Sequence, residues 1–288
     1  MIGLLQTMPF LQDLTLTHWI AAYNEDSSLM NPYPTNAVLS QLRSLKFTTK
    51  TVVQSSLFMR RLSLPQTTYI HLHCAYEGFR EIPLYLPQMQ LDGSDPLPFT
   101  RLKVVYTLMG VRIHGSPSVI DDPCGSFTLD MMDMTLRIWI GTTSLLHPLS
   151  LQSVTALMLD TCGFFVDCSP VLAFLHTVET IEILFSPLGF LSSPLGSFAS
   201  SLVVPHAEDG RQCIQMLCPC LRRLEFTTRY RDTVDPAFFG TLAAVLDTRS
   251  EAGSPLEEAV VQGECVRSKE LRSVDEMKQR KVWKFMKQ

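Results

Sequence analysis

Three observations predict an α/β fold in which short parallel strands recur along the chain with helices between them. First, five stretches share one frame, apolar-x-x-apolar-x-apolar: LQDLTL (Leu11, Leu14, Leu16), LRSLKF (Leu42, Leu45, Phe47), VTALML (Val154, Leu157, Leu159), VETIEI (Val178, Ile181, Ile183) and LRRLEF (Leu221, Leu224, Phe226). Second, helix-start signals fall between several of them. Third, the spacing of these stretches and of weaker copies is nearly constant through the second half of the chain.

The frame has a direct physical meaning. Alternation with period two buries two side chains on one face of a strand, and the third apolar residue, three places earlier, anchors the turn leading into it. A frame of this kind, recurring every 20 to 29 residues, is the strand portion of a leucine-rich repeat. Cys162 stands three places after Leu159, where that repeat takes Asn or Cys. Counting MTLRIWI and SSLVV as weaker copies, the anchors Val111, Leu136, Leu157, Ile181, Leu202 and Leu224 lie 25, 21, 24, 21 and 22 residues apart. Before and after them the spacing loosens to 31 and 36 residues, which indicates irregular ends or insertions. The expectation is a leucine-rich-repeat-like solenoid over residues 1–265: curved and right-handed, a parallel sheet on the concave face, helices outside, and about eight or nine irregular repeats.

Taken in order, the chain opens with LLQTMPFLQDLTL, a turn and a strand. TNAVLSQL is expected as a short helix before LRSLKF, and HLHC as part of a strand. Residues 82–100, with four prolines, and residues 115–128 are expected as loops. CSPVLAFLHTV predicts a helix capped by Ser169 with Pro170 at its first position and Val171, Leu172 and Leu175 on one face. DGRQCIQML is expected as a short helix. In DPAFFGTLAAVLDT, Asp235 caps, Pro236 opens, and Phe238, Phe239, Leu242, Val245 and Leu246 recur at helical spacing. Residues 266–288 are expected as a basic cap helix and a final strand KVWKF.

Catalytic chemistry has little support. The sequence holds no G-x-S-x-G, GxxxxGK[ST], GxGxxG or HExxH. CIQMLCPCLRRLEF packs three cysteines into eight positions, but Cys218 and Cys220 fall where the first repeat has Met8 and Phe10, so both are expected to be small buried hydrophobes. A zinc site needs a second ligand pair, which is missing. HLHC puts His71 and His73 on one strand face, a start for a metal site with Cys124 or Asp121; the plainer reading is two histidines facing solvent or a partner. Asp121 and Asp122 precede Pro123 and read as turn residues. No enzyme activity, cofactor or metal is expected, a metal-dependent enzyme built on HLHC or the cysteine cluster being the remote alternative.

Composition sets the setting. With 46% hydrophobic and 18% charged residues, the chain can bury a large core. A net charge of -4 gives no basic field for nucleic acid, although residues 266–288 carry eight Lys or Arg against three Asp or Glu. No 18-residue apolar run, targeting segment or Asn-x-Ser/Thr acceptor occurs, so an intracellular chain, cytoplasmic or nuclear, with reduced thiols and no membrane contact is expected.

The rhythm of VLAFLHTVETIEILF and CLRRLEF, then a helix, an AVVQG strand and a terminal EMKQRKVWKF, resembles the leucine-rich half of F-box proteins of mushroom-forming (basidiomycete) fungi, without the F-box itself. The resemblance implies protein recognition: repeats that select the substrate of a cullin-RING ubiquitin ligase. A Skp-type adaptor and cullin are implied only if an F-box lies upstream, and a stand-alone repeat scaffold is the alternative.

A protein partner is expected on the concave face, at the strand positions flanking the buried pair: Thr15, Thr17, Lys46, Thr48, Arg137, Trp139, Met158, Asp160, Glu182, Arg223 and Glu225. Trp139 beside Arg137 is the combination enriched in interface hot spots.

Overall fold

The structure, a computed structural model, describes residues 2–17, 37–50, 55, 58–75, 88–89, 99–107, 110–117, 125–132, 151–160, 168–185, 198, 202–208, 211–228, 233–234, 236–262, 264–265 and 283–286. The fold is α/β, with mostly parallel strands and few helices. Two compact units divide it: Met1–Thr100 with Met109–Leu151, and Arg101–Leu108 with Gln152–Gln288.

The first unit contains α1 (Ile2–Gln6), β1 (Asp13–Leu16), β2 (Ala37–Val38), β3 (Ser44–Thr49), β4 (Leu62–Leu64), β5 (Tyr69–Ala75) and β6 (Gln88–Met89). After β7 (Arg101–Thr107), which belongs to the second unit, it resumes with β8 (Gly110–Ser116) and β9 (Phe127–Met132). Strands β1, β3, β5 and β9 pair in parallel, and β8 adds antiparallel to β9. The frame is visible in the register: Leu14, Leu45, Ile70 and Phe127 stand side by side, as do Leu16, Phe47, Leu72 and Leu129. From Leu45 onward every member of both rows is at most 1% exposed, each fully buried side chain contributing about 1.5–3 kcal/mol.

A second, smaller sheet lies in this unit. TNAVLSQL, expected as a helix, contributes β2, which pairs with β4 and β6 in a three-stranded parallel sheet. Ala37 and Leu39 are fully buried while Val38 is 53% exposed, the alternation of a half-buried strand. Val111, expected to anchor a repeat strand, lies in β8, whose direction is reversed. Of the loop expected at 115–128, Gly115 and Ser116 end β8 while Phe127 and Thr128 open β9.

The second unit begins with β7 and continues with β10 (Ala156–Asp160), α2 (Ser169–Leu172), β11 (Thr180–Phe185), β12 (Val203–Glu208), β13 (Arg211–Met216), β14 (Arg223–Thr228), β15 (Thr233–Val234), α3 (Pro236–Glu251), β16 (Glu258–Gln262), β17 (Glu264–Cys265) and β18 (Trp283–Met286). Strands β7, β10, β11, β14, β16 and β18 form one parallel ladder. Leu102, Leu157, Ile181, Leu224 and Ala259 share one register row, and Val104, Leu159, Ile183, Phe226 and Val261 the next. All ten are at most 2% exposed.

One hydrogen-bond device recurs at the strand entrances. Two successive N–H groups donate to a single carbonyl of the preceding strand entrance: Arg43 and Ser44 to Gln12, Glu179 and Thr180 to Thr155, Arg222 and Arg223 to Glu179, and Glu257 and Glu258 to Arg222, all at 2.7–3.1 Å. The anchors Leu42, Val178, Leu221 and Leu256 sit just before these pairs, each at most 5% exposed.

Connections in this unit are mixed. Helix α3 matches the helix expected from DPAFFGTLAAVLDT, its expected cap Asp235 lying outside the described residues. Helix α2 is only four residues long, and its N-cap is Cys168 rather than Ser169, without a side-chain cap bond. SSLVV and DGRQCIQML, expected as a repeat strand and a helix, contribute instead to β12 and β13, an antiparallel pair. The final strand expected in KVWKF is present as β18, parallel to β16. Residues 266–282, expected to form the cap helix, lie outside the described residues.

Candidate interaction surface

On each parallel strand the side chains between the buried pair point to the opposite face, and register fixes their neighbours. In the second unit one row reads Arg101, Ala156, Thr180, Arg223 and Glu258, and the next reads Lys103, Met158, Glu182, Glu225 and Val260. Neighbours in a row are about 4.8 Å apart, the strand spacing. Arg101, Lys103, Met158, Glu182, Arg223 and Glu225 are half-buried, and the open part of the face ends at β16, where Val260 is 1% exposed.

Arg223 organises the acidic side of this face. Its Nη1 donates to Glu258 Oε2 at 2.7 Å and its Nη2 to Glu225 Oε2 at 2.8 Å. With the guanidinium 42% exposed, such pairs contribute about 0–1 kcal/mol and serve mainly to hold the carboxylates in place. Glu182 stands directly across from Glu225, and among the described residues no ion pair reaches it. Burial, and then the charge of Glu225, raise the Glu182 carboxyl against the opposing pull of Arg101, Lys103 and Arg223.

The first unit carries a different face. Thr15, Lys46, His71 and Thr128 share a row, joined by His114 of β8; Thr48, His73, Asp130 and Arg112 share the next. Asp130 is the hub: His71 Nε2 lies 3.0 Å from its Oδ2, and Arg112 donates to it through Nε and, at 3.2 Å, through Nη2. Burial pushes the Asp130 carboxyl up, but hydrogen bonds from His71 and Arg112, and their charges, outweigh it and hold the group at about 2. His114 Nδ1 lies 2.9 Å from Thr128 Oγ1.

The residues expected to face a partner are therefore placed as follows. Thr15, Thr17 and Lys46 are exposed, and Thr48, Met158, Glu182, Arg223 and Glu225 half-buried, all on described strands or their ends. Asp160 is corrected: at the end of β10 it is 1% exposed and offers nothing to a partner. Arg137 and Trp139 lie outside the described residues, as do Asp121, Asp122 and Cys124.

HLHC divides as a strand must. His71 and His73 face outward, while Cys74 is fully buried, its Sγ 3.6 Å from Thr49 Oγ1 and 3.5 Å from Ser55 Oγ. Among the described residues no three His, Cys, Asp or Glu side chains gather into a metal-holding group.

The cysteine-rich stretch forms the turn into β14. Leu221 N donates to Cys218 O at 3.0 Å, and Leu11 N donates to Met8 O at 3.1 Å, so the two sequences share one turn. Cys218 is buried with φ of 49°, and burial pushes its thiol up to about 12. Cys220, also expected to be buried, is exposed and is corrected. Behind the turn lies Arg249 of α3, 0% exposed, donating from Nη1 to Leu217 O at 2.9 Å and from Nη2 to Cys218 O at 3.0 Å.

Sequence reasoning passed over Arg101, Lys103, Arg112, Asp130, His114 and Arg249. A signal existed for the first two, because Phe99, Leu102 and Val104 repeat the five-fold frame. No family model, curated protein or solved structure matches the chain. No described helix is long and apolar enough to cross a membrane.

Proposed function

We propose that this chain is a protein-recognition module: a leucine-rich-repeat-like solenoid whose outward strand positions bind another protein. The observation that supports this most is the in-register stacking of one short frame along parallel strands, with the same shared-carbonyl hydrogen bonds at four strand entrances. A ladder of that kind holds its core on one side of each strand and presents rows of fixed, half-exposed side chains on the other.

The proposed role is substrate selection in an F-box-type ubiquitin-ligase receptor, inside the cell, with a Skp-type adaptor and cullin engaged only if an F-box lies upstream. No catalysis, cofactor or nucleic acid is assigned to it. The test is affinity purification of the tagged chain from a fungal host, with mass spectrometry of the eluate. Adaptor and cullin together with enriched proteins support the receptor role; enriched proteins without them support a free-standing recognition module; no protein enriched over a tag control overturns recognition altogether.

A further inference from the structure

Among outward faces, that of the second unit has an ordered charge pattern across four strands. Its row begins with Lys103 on β7, beside Arg101 of the same strand, passes Met158 on β10 and reaches Glu182 on β11 and Glu225 on β14. Basic end and acidic end are two strand spacings apart, about 10 Å, with a thioether between them.

The acidic end is unequally satisfied. Glu225 shares Arg223 with Glu258, so that guanidinium already has two carboxylates. Glu182, half-buried and across from Glu225, has no cation within ion-pairing distance among the described residues. Lys103, the cation in its own row, is separated from it by Met158. A carboxylate in that position costs stability in the free protein, and its raised pKa has the same origin. Arg101, Lys103 and Arg223 act on Glu182 from a distance, and among the described residues the complement absent at ion-pairing range is one positive charge on a stem long enough to lie over Met158.

We propose that this face holds a segment of a partner protein through a lysine or arginine seated between Glu182 and Glu225, its aliphatic stem over Met158 and a carboxylate of the same segment reaching Arg101 and Lys103. This names the kind of ligand for the recognition role above and rests on it. Lysine and arginine both combine an apolar stem with a charged head, the combination a thioether beside two carboxylates accepts. The basic end then gives the segment a direction, because reversing it sets like charges together.

A random-peptide display library panned on the full-length chain tests the proposal, alongside Glu182→Gln and the charge reversal Glu182→Lys, each checked for native circular dichroism. The selected peptides are expected to carry a basic residue with an acidic residue nearby, to lose at least tenfold in affinity for Glu182→Gln, and to be replaced on Glu182→Lys by peptides lacking the basic residue. Peptides selected without a basic residue, or bound equally by wild type and Glu182→Gln, overturn this inference and leave protein recognition standing. No peptide enriched over bare support overturns both.

Discussion

The Nη2 group of Arg249 donates to the carbonyl of Cys218 at 3.0 Å while Nη1 donates to Leu217, so one buried guanidinium pins the last turn of α3 to the turn that opens β14. Burial lowers its pKa, and no carboxylate pairs with it among the described residues. Two main-chain carbonyls offset part of the cost of the charge, while the buried Nε has no hydrogen-bond partner among the described residues. Removing it takes the Arg249 donor from the Leu217 carbonyl, leaves the Cys218 carbonyl with Leu221 N alone, and opens a cavity behind them.

Arg249→Ala is expected to cost about 1–3 kcal/mol in urea unfolding, the range for buried polar groups that lose a hydrogen-bond partner. Arg249→Lys recovers only part, because an ammonium cannot reproduce the guanidinium fork. Arg222, 61% exposed and paired with Glu257 at 3.5 Å, is the control, and Arg222→Ala is expected to stay within about 0.5 kcal/mol. Equal losses at the two positions overturn the pinning.

The cysteines should separate by reactivity. Cys220 is exposed, whereas Cys74 and Cys218 are buried and their thiols are raised by burial. Alkylation at pH 8 followed by peptide mass spectrometry is expected to modify Cys220 before Cys74, and Cys218 only on unfolding. Because the Cys218 thiol rises from 9.0 to about 12, its contribution to stability is complete below pH 9 and is lost as pH climbs toward 12.

Asp130 predicts an acid transition in the first unit. Its carboxyl falls from 3.8 to about 2, so the stability it contributes is present above pH 4 and is lost as pH drops through about 2. With its side chain 13% exposed, Asp130→Asn is expected to cost about 1–2 kcal/mol at pH 7, a difference that closes as pH approaches 2. A difference unchanged across that range contradicts the ionic account of the hub.

Glu182 should behave in the opposite sense. Its pKa is raised, so the protein is favoured by its protonated form below the ordinary value of 4.5 and loses that advantage as pH rises. Glu182→Gln is therefore expected to stabilise the free chain slightly at pH 7 and to make no difference near pH 4, read by thermal unfolding at both values. Destabilisation at pH 7 would show that Glu182 has a structural partner.

Glycines at two points of β8 report on packing. A Cβ on Gly110 would collide with the Met131 carbonyl oxygen, and one on Gly115 would meet the Phe99 ring at 2.8 Å. A ring can shift and a paired carbonyl cannot, so Gly110→Ala is expected to cost about 3 kcal/mol or more and Gly115→Ala about 1–3. Denaturant titration of both variants ranks them.

Much of the strand pattern was legible because the frame carries its own chemistry. The five stretches singled out by it are all parallel strands, and within each unit their apolar positions stack in register. What misled was alternation without direction: VRI in β8 and SSLVV in β12 alternate as well as any repeat strand, yet both pair antiparallel. DGRQCIQML is ambiguous for a related reason, since apolar residues four apart fit either a helix turn or two strand steps. Strand β5 escaped the frame because Thr67 occupies the anchor position before Ile70 and Leu72.

The surface was less legible than the core. Period two picks out strand positions that are exposed or half-buried, such as Lys46 and Glu182, but it could not tell that Asp160, at a strand end, is buried, nor that Asp130 meets His71 and Arg112. Those contacts join residues 18 and 59 positions apart, and only the strand order brings them together. Arg249 left one cue, a basic residue in the last turn of a helix.

Recognition through the outward faces is tested most directly by comparing proteins co-purified with the wild-type chain and with two charge-altered variants. Glu182→Lys with Glu225→Lys changes the proposed face, and Val38→Lys changes an exposed position on β2 of the first unit. Proteins enriched by wild type and by Val38→Lys but lost from the double variant are the predicted result. A list unchanged by the double variant, with all three chains folded, would contradict recognition by this face.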